Sequence, residues 1–322
     1  MSNEILKMQN VDLYLGKNKN QVQILSNFSL TIKRGEAAGL IGETGCGKTL
    51  TARSIIRLLP STATLNGTIL YNDSNIVEYD ENSLLNLRRH EIAMIPQNPM
   101  TSLDPLFTIQ QQMFETLEKK LTNSEKLREC KEVLSKVELE PSRVLRSYPY
   151  QLSGGMLQRV LIAMVLIRKP KLIIADEITT ALDLTTQIKI LSLIKKIREV
   201  ERISMLIVTH DMKVVRSLCE TISVMYVGRI VENGSTQDVL KNTRHPYTKA
   251  LMGSIPVIGK TELDSIAGIV PSFNELPSGC KFGPRCQYVF KECRDLEPAL
   301  IQVEASKVAC HLYSEGQHNE SP

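Results

Sequence analysis

Residues 6–15 and 22–32 are rich in apolar and β-branched positions and are separated by a Gly/Asn/Lys turn at 16–20, so they read as two antiparallel strands. Residues 38–41 form a short apolar run, the signal of a buried strand, and residues 50–59 read as a helix ended by Pro60. Ile69-Leu70-Tyr71 and Asn75-Ile76-Val77 flank Asn72-Asp73, which is a hairpin signal. Residues 92–95 are another short strand. From about 105 to 170 the chain turns helical, rich in Leu, Glu, Lys and Gln. Residues 171–176 read as a buried strand ending in an acid. An amphipathic helix follows over 184–200, with Ile190, Leu191, Ile194 and Ile197 on one face. Strand, helix and strand then follow at 203–208, 212–220 and 222–227. Strands alternating with helices predict an α/β fold on a mainly parallel sheet, with the 105–170 stretch as a helical insertion.

Composition narrows the class. The chain has 322 residues, 42% hydrophobic and 23% charged, which suits one large or two modest globular domains. The net charge of +4 is spread along the chain. That argues against nucleic-acid binding and is compatible with docking on a membrane protein. The longest apolar run, 160–167, is stopped by Arg168-Lys169-Pro170-Lys171 and falls short of the roughly 18 residues of a membrane span. Met1-Ser2-Asn3-Glu4 lacks the basic and apolar regions of a signal peptide, so the expected location is the cytosol, with the cysteines reduced. Four of the seven cysteines and seven of the fourteen prolines fall beyond residue 240, which marks a loop-rich C-terminal region. Residues 314–322 are polar and expected to fray.

Candidate chemistry begins at Gly42-Glu43-Thr44-Gly45-Cys46-Gly47-Lys48-Thr49, which fits G-x-x-x-x-G-K-[ST] between a strand and a helix. There the glycines let the backbone curl round an anion, and the helix N-terminus faces phosphates with free N–H groups. Lys48 adds charge at the β- and γ-phosphates, and the Thr49 hydroxyl is a Mg²⁺ ligand. Asp176 and Glu177 end a strand of the parallel sheet, where ligands bind. Asp176 is placed to hold Mg²⁺ through water and Glu177 to polarise an attacking water. A strand-end acidic pair also serves as an ordinary helix cap, so the pair alone does not settle its role. Ser153-Gly154-Gly155 opens the helix that carries 160–167 and reads either as a second anion site or as a plain N-cap.

In this order and spacing the chain resembles the ATP-binding cassette (ABC) family over residues 5–235. The resemblance implies a RecA-like core with an antiparallel β subdomain and a helical subdomain at about 100–168. It also implies roles. Tyr14 resembles the aromatic that stacks on adenine, though it equally suits a strand core. Gln97, in Ile95-Pro96-Gln97-Asn98-Pro99, resembles the Q-loop residue that touches Mg²⁺ and the attacking water. Thr180-Ala181-Leu182-Asp183 resembles the D-loop, and His210 resembles the switch histidine that bonds the γ-phosphate. Two cassettes would pack head to tail, ATP on one phosphate loop being covered by Ser153, Gly154 and Gly155 of the other. Two departures stand out. Ile178 follows Glu177 where transport families usually carry Pro, which would leave that loop less constrained, and Cys46 fills a position often held by Ser.

The tail beyond 238 resembles the C-terminal extension of oligopeptide, dipeptide and nickel-type importer ATPases. The match rests on His245-Pro246-Tyr247, on Gly279-Cys280-Lys281-Phe282-Gly283-Pro284-Arg285-Cys286, and on Cys293 and Cys310-His311. The spacing C-x5-C-x6-C-x16-C lacks the C-x2-C pairs of zinc ribbons but offers four soft ligands. Incidental cysteines, zinc and an iron–sulfur centre all fit the residues, with His311 as a further ligand. The resemblance implies a [4Fe–4S] cluster on Cys280, Cys286, Cys293 and Cys310. It further implies domains at 1–238 and 239–322. Cys286→Ser is expected to lose the cluster and loosen the tail while leaving nucleotide binding to the cassette largely intact. The expected function is ATP hydrolysis driving import of peptides, or of nickel or metallophore-type ligands. The expected partners are a second, paralogous cassette, two membrane permeases and an extracellular or periplasmic binding protein, with the chain peripheral on the cytoplasmic face of the membrane. A soluble ABC ATPase of repair, translation or iron–sulfur assembly is the alternative.

Overall fold

The computed structural model describes residues 3–17, 20–180, 182–253, 266 and 268–314. Ala181 and the polar residues 315–322 singled out above lie outside them. In chain order the elements are β1 (Glu4–Leu15), β2 (Val22–Lys33), β3 (Ala37–Ile41), α1 (Lys48–Ile55), β4 (Ala63–Tyr71), β5 (Ser74–Asn75), α2 (Glu81–His90) and β6 (Ile92–Ile95). Next come α3 (Pro99–Ser102), α4 (Ile109–Thr116), α5 (Asn123–Lys136), α6 (Pro141–Arg146), α7 (Gly154–Leu166), β7 (Leu172–Asp176) and α8 (Leu184–Glu201). Then follow β8 (Ser204–Thr209), α9 (Met212–Leu218), β9 (Thr221–Tyr226), β10 (Arg229–Ser235), α10 (Thr236–Lys241) and α11 (Pro246–Gly253). Short pieces end the chain: α12 (Lys291–Asp295), β11 (Ile301–Val303) and β12 (Ser306–Val308). These form two compact units, one of residues 1–33, 37–78 and 208–322, the other of 34–36 and 79–207.

The first unit holds two sheets. One is antiparallel, in the order β2-β1-β4-β5. Its last hairpin turns at Asn72 and Asp73, whose positive φ values of 49° and 65° suit a tight turn between twisted strands. Ile76 and Val77, read as strand from sequence, lie in a short 3-10 turn, Ile76–Glu78. In the other sheet β3 runs parallel to β9, and β10, β12 and β11 extend it antiparallel. The tail therefore adds strands to this sheet: Glu232 of β10 faces Val308 of β12. Helix α1 ends at Ile55, short of the expected 59. Arg57 takes a left-handed φ of 53°, and its guanidinium donates to the carbonyls of Ile76 (3.3 Å) and Val77 (2.5 Å). The Leu58 N–H bonds back to the Arg53 carbonyl at 3.0 Å, so a left-handed cap closes the helix before Pro60.

In the second unit β6 and β7 are parallel, and the apolar run 160–167 is the buried helix α7. Around α7 stand α3, α4 and α5, the helical insertion read from sequence. On α8 the buried side chains are Ile190, Leu193 and Ile194, whereas Leu191 and Ile197 are half-exposed.

A buried polar knot joins the tail to β10 in the first unit. The fully buried Glu232 carboxylate accepts the backbone N–H groups of Arg244 (2.9 Å) and His245 (3.1 Å). His245 Nδ1 accepts the Tyr247 N–H at 3.0 Å. Desolvation holds the His245 imidazole down to about 3 against an ordinary 6.5, with a backbone bond to Ala309 opposing. A depressed folded-state pKa means that the unfolded chain takes up the proton first. Stability contributed by neutral His245 is thus whole above pH 6.5 and is lost as pH falls toward 3. The loss reaches about 2 kcal/mol at pH 5. Burial raises the Glu232 pKa, which acts in the opposite sense. The expected result is therefore differential: between pH 7 and 5 the wild-type chain loses more thermal stability than His245→Gln. Equal losses in melting experiments would contradict it.

Candidate active site

The phosphate loop runs from Ile41 of β3 to Lys48 of α1. Gly45 and Gly47 sit at φ 85° and 107°, where a side chain is strained. At Gly42 a Cβ would stand 2.2 Å from the Met225 carbonyl oxygen, so only glycine passes beneath β9. Lys48 is buried, and its ammonium donates to the carbonyls of Gly42 and Glu43, both at 2.9 Å. Thr44 and Gly45 are exposed at the crown, Thr49 is half-buried in the first turn of α1, and that turn carries no acid. The result is a cationic, N–H-rich cup suited to an anion. Cys46 is buried, its carbonyl accepts the Gly228 N–H at 2.9 Å, and burial pushes its thiol up despite the Lys48 charge.

Glu43 takes no free place in this cup. Its N–H donates to the Tyr247 hydroxyl at 2.9 Å. Its carboxylate is gripped from two sides by Arg285, at 2.8 and 3.1 Å. Tyr247 and Arg285 belong to the tail, so the tail is no detached appendage: it touches the phosphate loop directly. Both residues lie inside motifs quoted from sequence. What escaped was the pairing with Glu43, 204 and 242 residues away, for which sequence spacing holds no signal.

Tyr14 lies on β1 opposite Gln23 and Thr64 and is half-buried, unlike its neighbour Leu13, which is fully buried. His210 is exposed just beyond β8, and Asp211 caps α9 by accepting the Lys213 N–H at 2.8 Å.

The second unit carries the other candidates. Asp176 is buried at the end of β7. Glu177 follows with a left-handed φ of 49°, an uncommon conformation for a residue with a side chain. Gln97 Nε2 donates to Glu177 Oε2 at 2.7 Å, and Thr180 Oγ1 donates to the same oxygen at 3.3 Å. Two sequence motifs thereby meet at one carboxylate. Ile178, which stands where transport families usually carry Pro, is buried. Ser153 caps α7, its hydroxyl accepting the Met156 N–H at 3.4 Å. A Cβ on Gly155 would come within 2.6 Å of Thr186 Cγ2, so close approach of α8 requires the glycine, while Gly154 has more room. Asp183 caps α8 through the Thr186 N–H at 3.0 Å, and its bonds to Thr186 hold the carboxyl below its ordinary range.

In the tail, Cys280, Cys286, Cys293 and Cys310 line one small cavity together with His311 and Phe282. The Cys280 N–H donates to the Cys293 carbonyl at 2.9 Å, and Cys286 Sγ accepts the Tyr288 N–H at 3.4 Å. Burial pushes the Cys310 thiol up to about 12. Among the described residues no three His, Cys, Asp or Glu converge tightly enough for one metal ion.

Comparison with known proteins decides the family. A family profile described as ABC transporter matches residues 25–180, and one described as oligopeptide/dipeptide transporter, C-terminal region, matches 231–293. The oligopeptide transport ATP-binding protein AppD of Bacillus subtilis is 38% identical, with 97% of each chain covered. The chain belongs to the ABC transporter family, in its oligopeptide/dipeptide branch. The dipeptide transport ATP-binding protein DppD of Haemophilus influenzae is 36% identical, covering 98% of this chain and 97% of that one. A solved ABC dimer in a post-hydrolysis state with ADP and Pi superposes with a TM-score of 0.64 at 30% identity, over 72% of this chain and 98% of that one. This ABC cassette has the α/β fold and antiparallel subdomain expected from sequence, on a sheet that is mixed because β10, β12 and β11 add to it antiparallel, and it is an ABC-type ATPase. No helix among its described residues is long and apolar enough to cross a membrane.

Proposed function

We propose that the chain hydrolyses ATP to power uptake of peptides through a membrane transporter, seated on the cytoplasmic face of its permease subunits. The observation that carries this reading is the match of one chain, over 97% of its length, to a peptide-transport ATP-binding protein, cassette and tail together. Soluble ABC ATPases do not account for the tail. The named relatives transport oligopeptides and dipeptides, which favours peptides over nickel-type ligands. Met100, Leu106 and Phe107 are exposed apolar residues in the stretch after Gln97, suited to receive a permease segment.

The residues divide the work. The phosphate loop, 42–49, wraps the β- and γ-phosphates, and Tyr14 offers a platform for adenine. Thr49, Gln97 and Asp176 supply the hard oxygen donors that Mg²⁺ takes; when bound, the metal neutralises phosphate charge. Glu177, oriented by Gln97 and Thr180, draws the proton from the attacking water, and His210 contacts the γ-phosphate. Ser153, Gly154 and Gly155, at the N-terminus of α7, cover the nucleotide of a partner cassette, and Asp183 lies at that dimer contact. One phosphate loop and one such helix start per chain support a paired assembly. Two permeases and an external binding protein complete the set. Domain limits of 1–238 and 239–322 belong to the same reading.

Turnover of the isolated chain should be low and rise when the partner cassette and permeases are added. Full, concentration-independent turnover by a verified monomer would contradict it.

The four tail thiols, gathered on one cavity, suit a [4Fe–4S] cluster of structural role. Anaerobic protein should carry iron and sulfide in equal amounts, about four of each per chain. Zinc at one per chain without sulfide would replace the cluster in this reading.

A further inference from the structure

A glutamate beside Gly42 is an odd neighbour for a phosphate site, because its charge repels the ligand that the loop is built to hold. In this chain that charge is answered by the tail. Arg285 Nη1 and Nη2 take one Glu43 oxygen each, at 2.8 and 3.1 Å, in a fork matched to a carboxylate. The arginine side chain is only 4% exposed and Glu43 24%, so water screens the pair weakly. The guanidinium is further fixed by the Tyr226 hydroxyl at 3.4 Å, with the rings of Tyr226 and Phe282 at 5.9 and 6.0 Å. It rides on a tight turn between Cys280 and Cys286, closed by Gly283 N–H to Cys280 O at 2.9 Å and Cys286 N–H to Gly283 O at 3.1 Å. The Glu43 N–H is meanwhile held by Tyr247 at 2.9 Å. Backbone and side chain of one phosphate-loop residue are thus both tied to the tail.

We propose that Arg285 is a positioning residue for the nucleotide site: it draws the Glu43 carboxylate aside and neutralises it, so that the phosphate loop accepts polyanionic phosphate. The proposal rests on the assignment of residues 42–49 as the ATP site. Its consequence is that the tail sets nucleotide affinity within the same chain. It differs from the expectation, drawn from sequence, that loosening the tail through Cys286→Ser leaves nucleotide binding largely intact.

The test is equilibrium binding of a fluorescent ATP analogue with Mg²⁺ to the full chain. Arg285→Ala should weaken binding about tenfold or more, and Arg285→Lys, which keeps charge but not the fork, by less. Adding Glu43→Gln to Arg285→Ala should restore most of the lost affinity, because the uncompensated charge is gone. An unchanged affinity in Arg285→Ala overturns the proposal. So does an equal loss in the single and double variants, which would mean that the arginine only keeps the tail folded. Absence of binding by the wild-type chain would instead reject the ATP-site assignment itself.

Discussion

Glu177→Gln in the assembled transporter is expected to bind ATP as before and to turn it over at least about 100-fold more slowly, a barrier rise of about 3 kcal/mol. The amide keeps the size of the carboxylate and its position but cannot take a proton. The structure adds a reason for the size of the effect. Glu177 Oε2 accepts from Gln97 at 2.7 Å and from Thr180 at 3.3 Å, which aims the group. Glu177 also takes a positive φ of 49°, and the next residue, Ile178, is buried. Because ATP stays bound, the variant should also accumulate as a closed dimer. Single-turnover hydrolysis at the wild-type rate would show that Glu177 is not the base.

Phe282→Ala is expected to destabilise the unit containing the phosphate loop by about 3–5 kcal/mol. The ring is 4% exposed and packs against Tyr226 at 5.3 Å edge-on, Tyr247 at 5.4 Å and His245 at 5.9 Å. Tyr226 ends β9 and Tyr247 bonds the phosphate loop, so one aromatic cluster serves tail and nucleotide site together. Denaturant unfolding of the full chain followed by both tail and nucleotide-site probes checks this. A shift under about 1 kcal/mol, or separate transitions for the two probes, would show a tail that folds by itself.

Much of this was legible before any coordinates. The strands β3 and β7 and the helix α7 are short, apolar and bounded by polar or Pro signals, and they form where the pattern places them. The phosphate loop is legible because its chemistry leaves little choice of residue: a Cβ at Gly42 would stand 2.2 Å from the Met225 carbonyl oxygen, and Gly47 takes a φ of 107°. Other features leave no mark in the local pattern. Helix α1 stops early at a left-handed Arg57, where the Leu58 N–H bonds back to the Arg53 carbonyl, and no glycine signals that cap in the sequence. The strands β11 and β12 are three residues each, too short for a period to show. Arg285 stands in a quoted motif, yet its partner lies 242 residues away.

The central claim, ATP-powered peptide import, meets its most direct test in proteoliposomes. These would hold this chain, its partner cassette and both permeases, with ATP inside and the binding protein and a labelled peptide outside. The account predicts peptide accumulation that requires ATP and is abolished by Glu177→Gln. ATP hydrolysis that proceeds without any uptake of peptide, and is indifferent to the peptide-loaded binding protein, would contradict it.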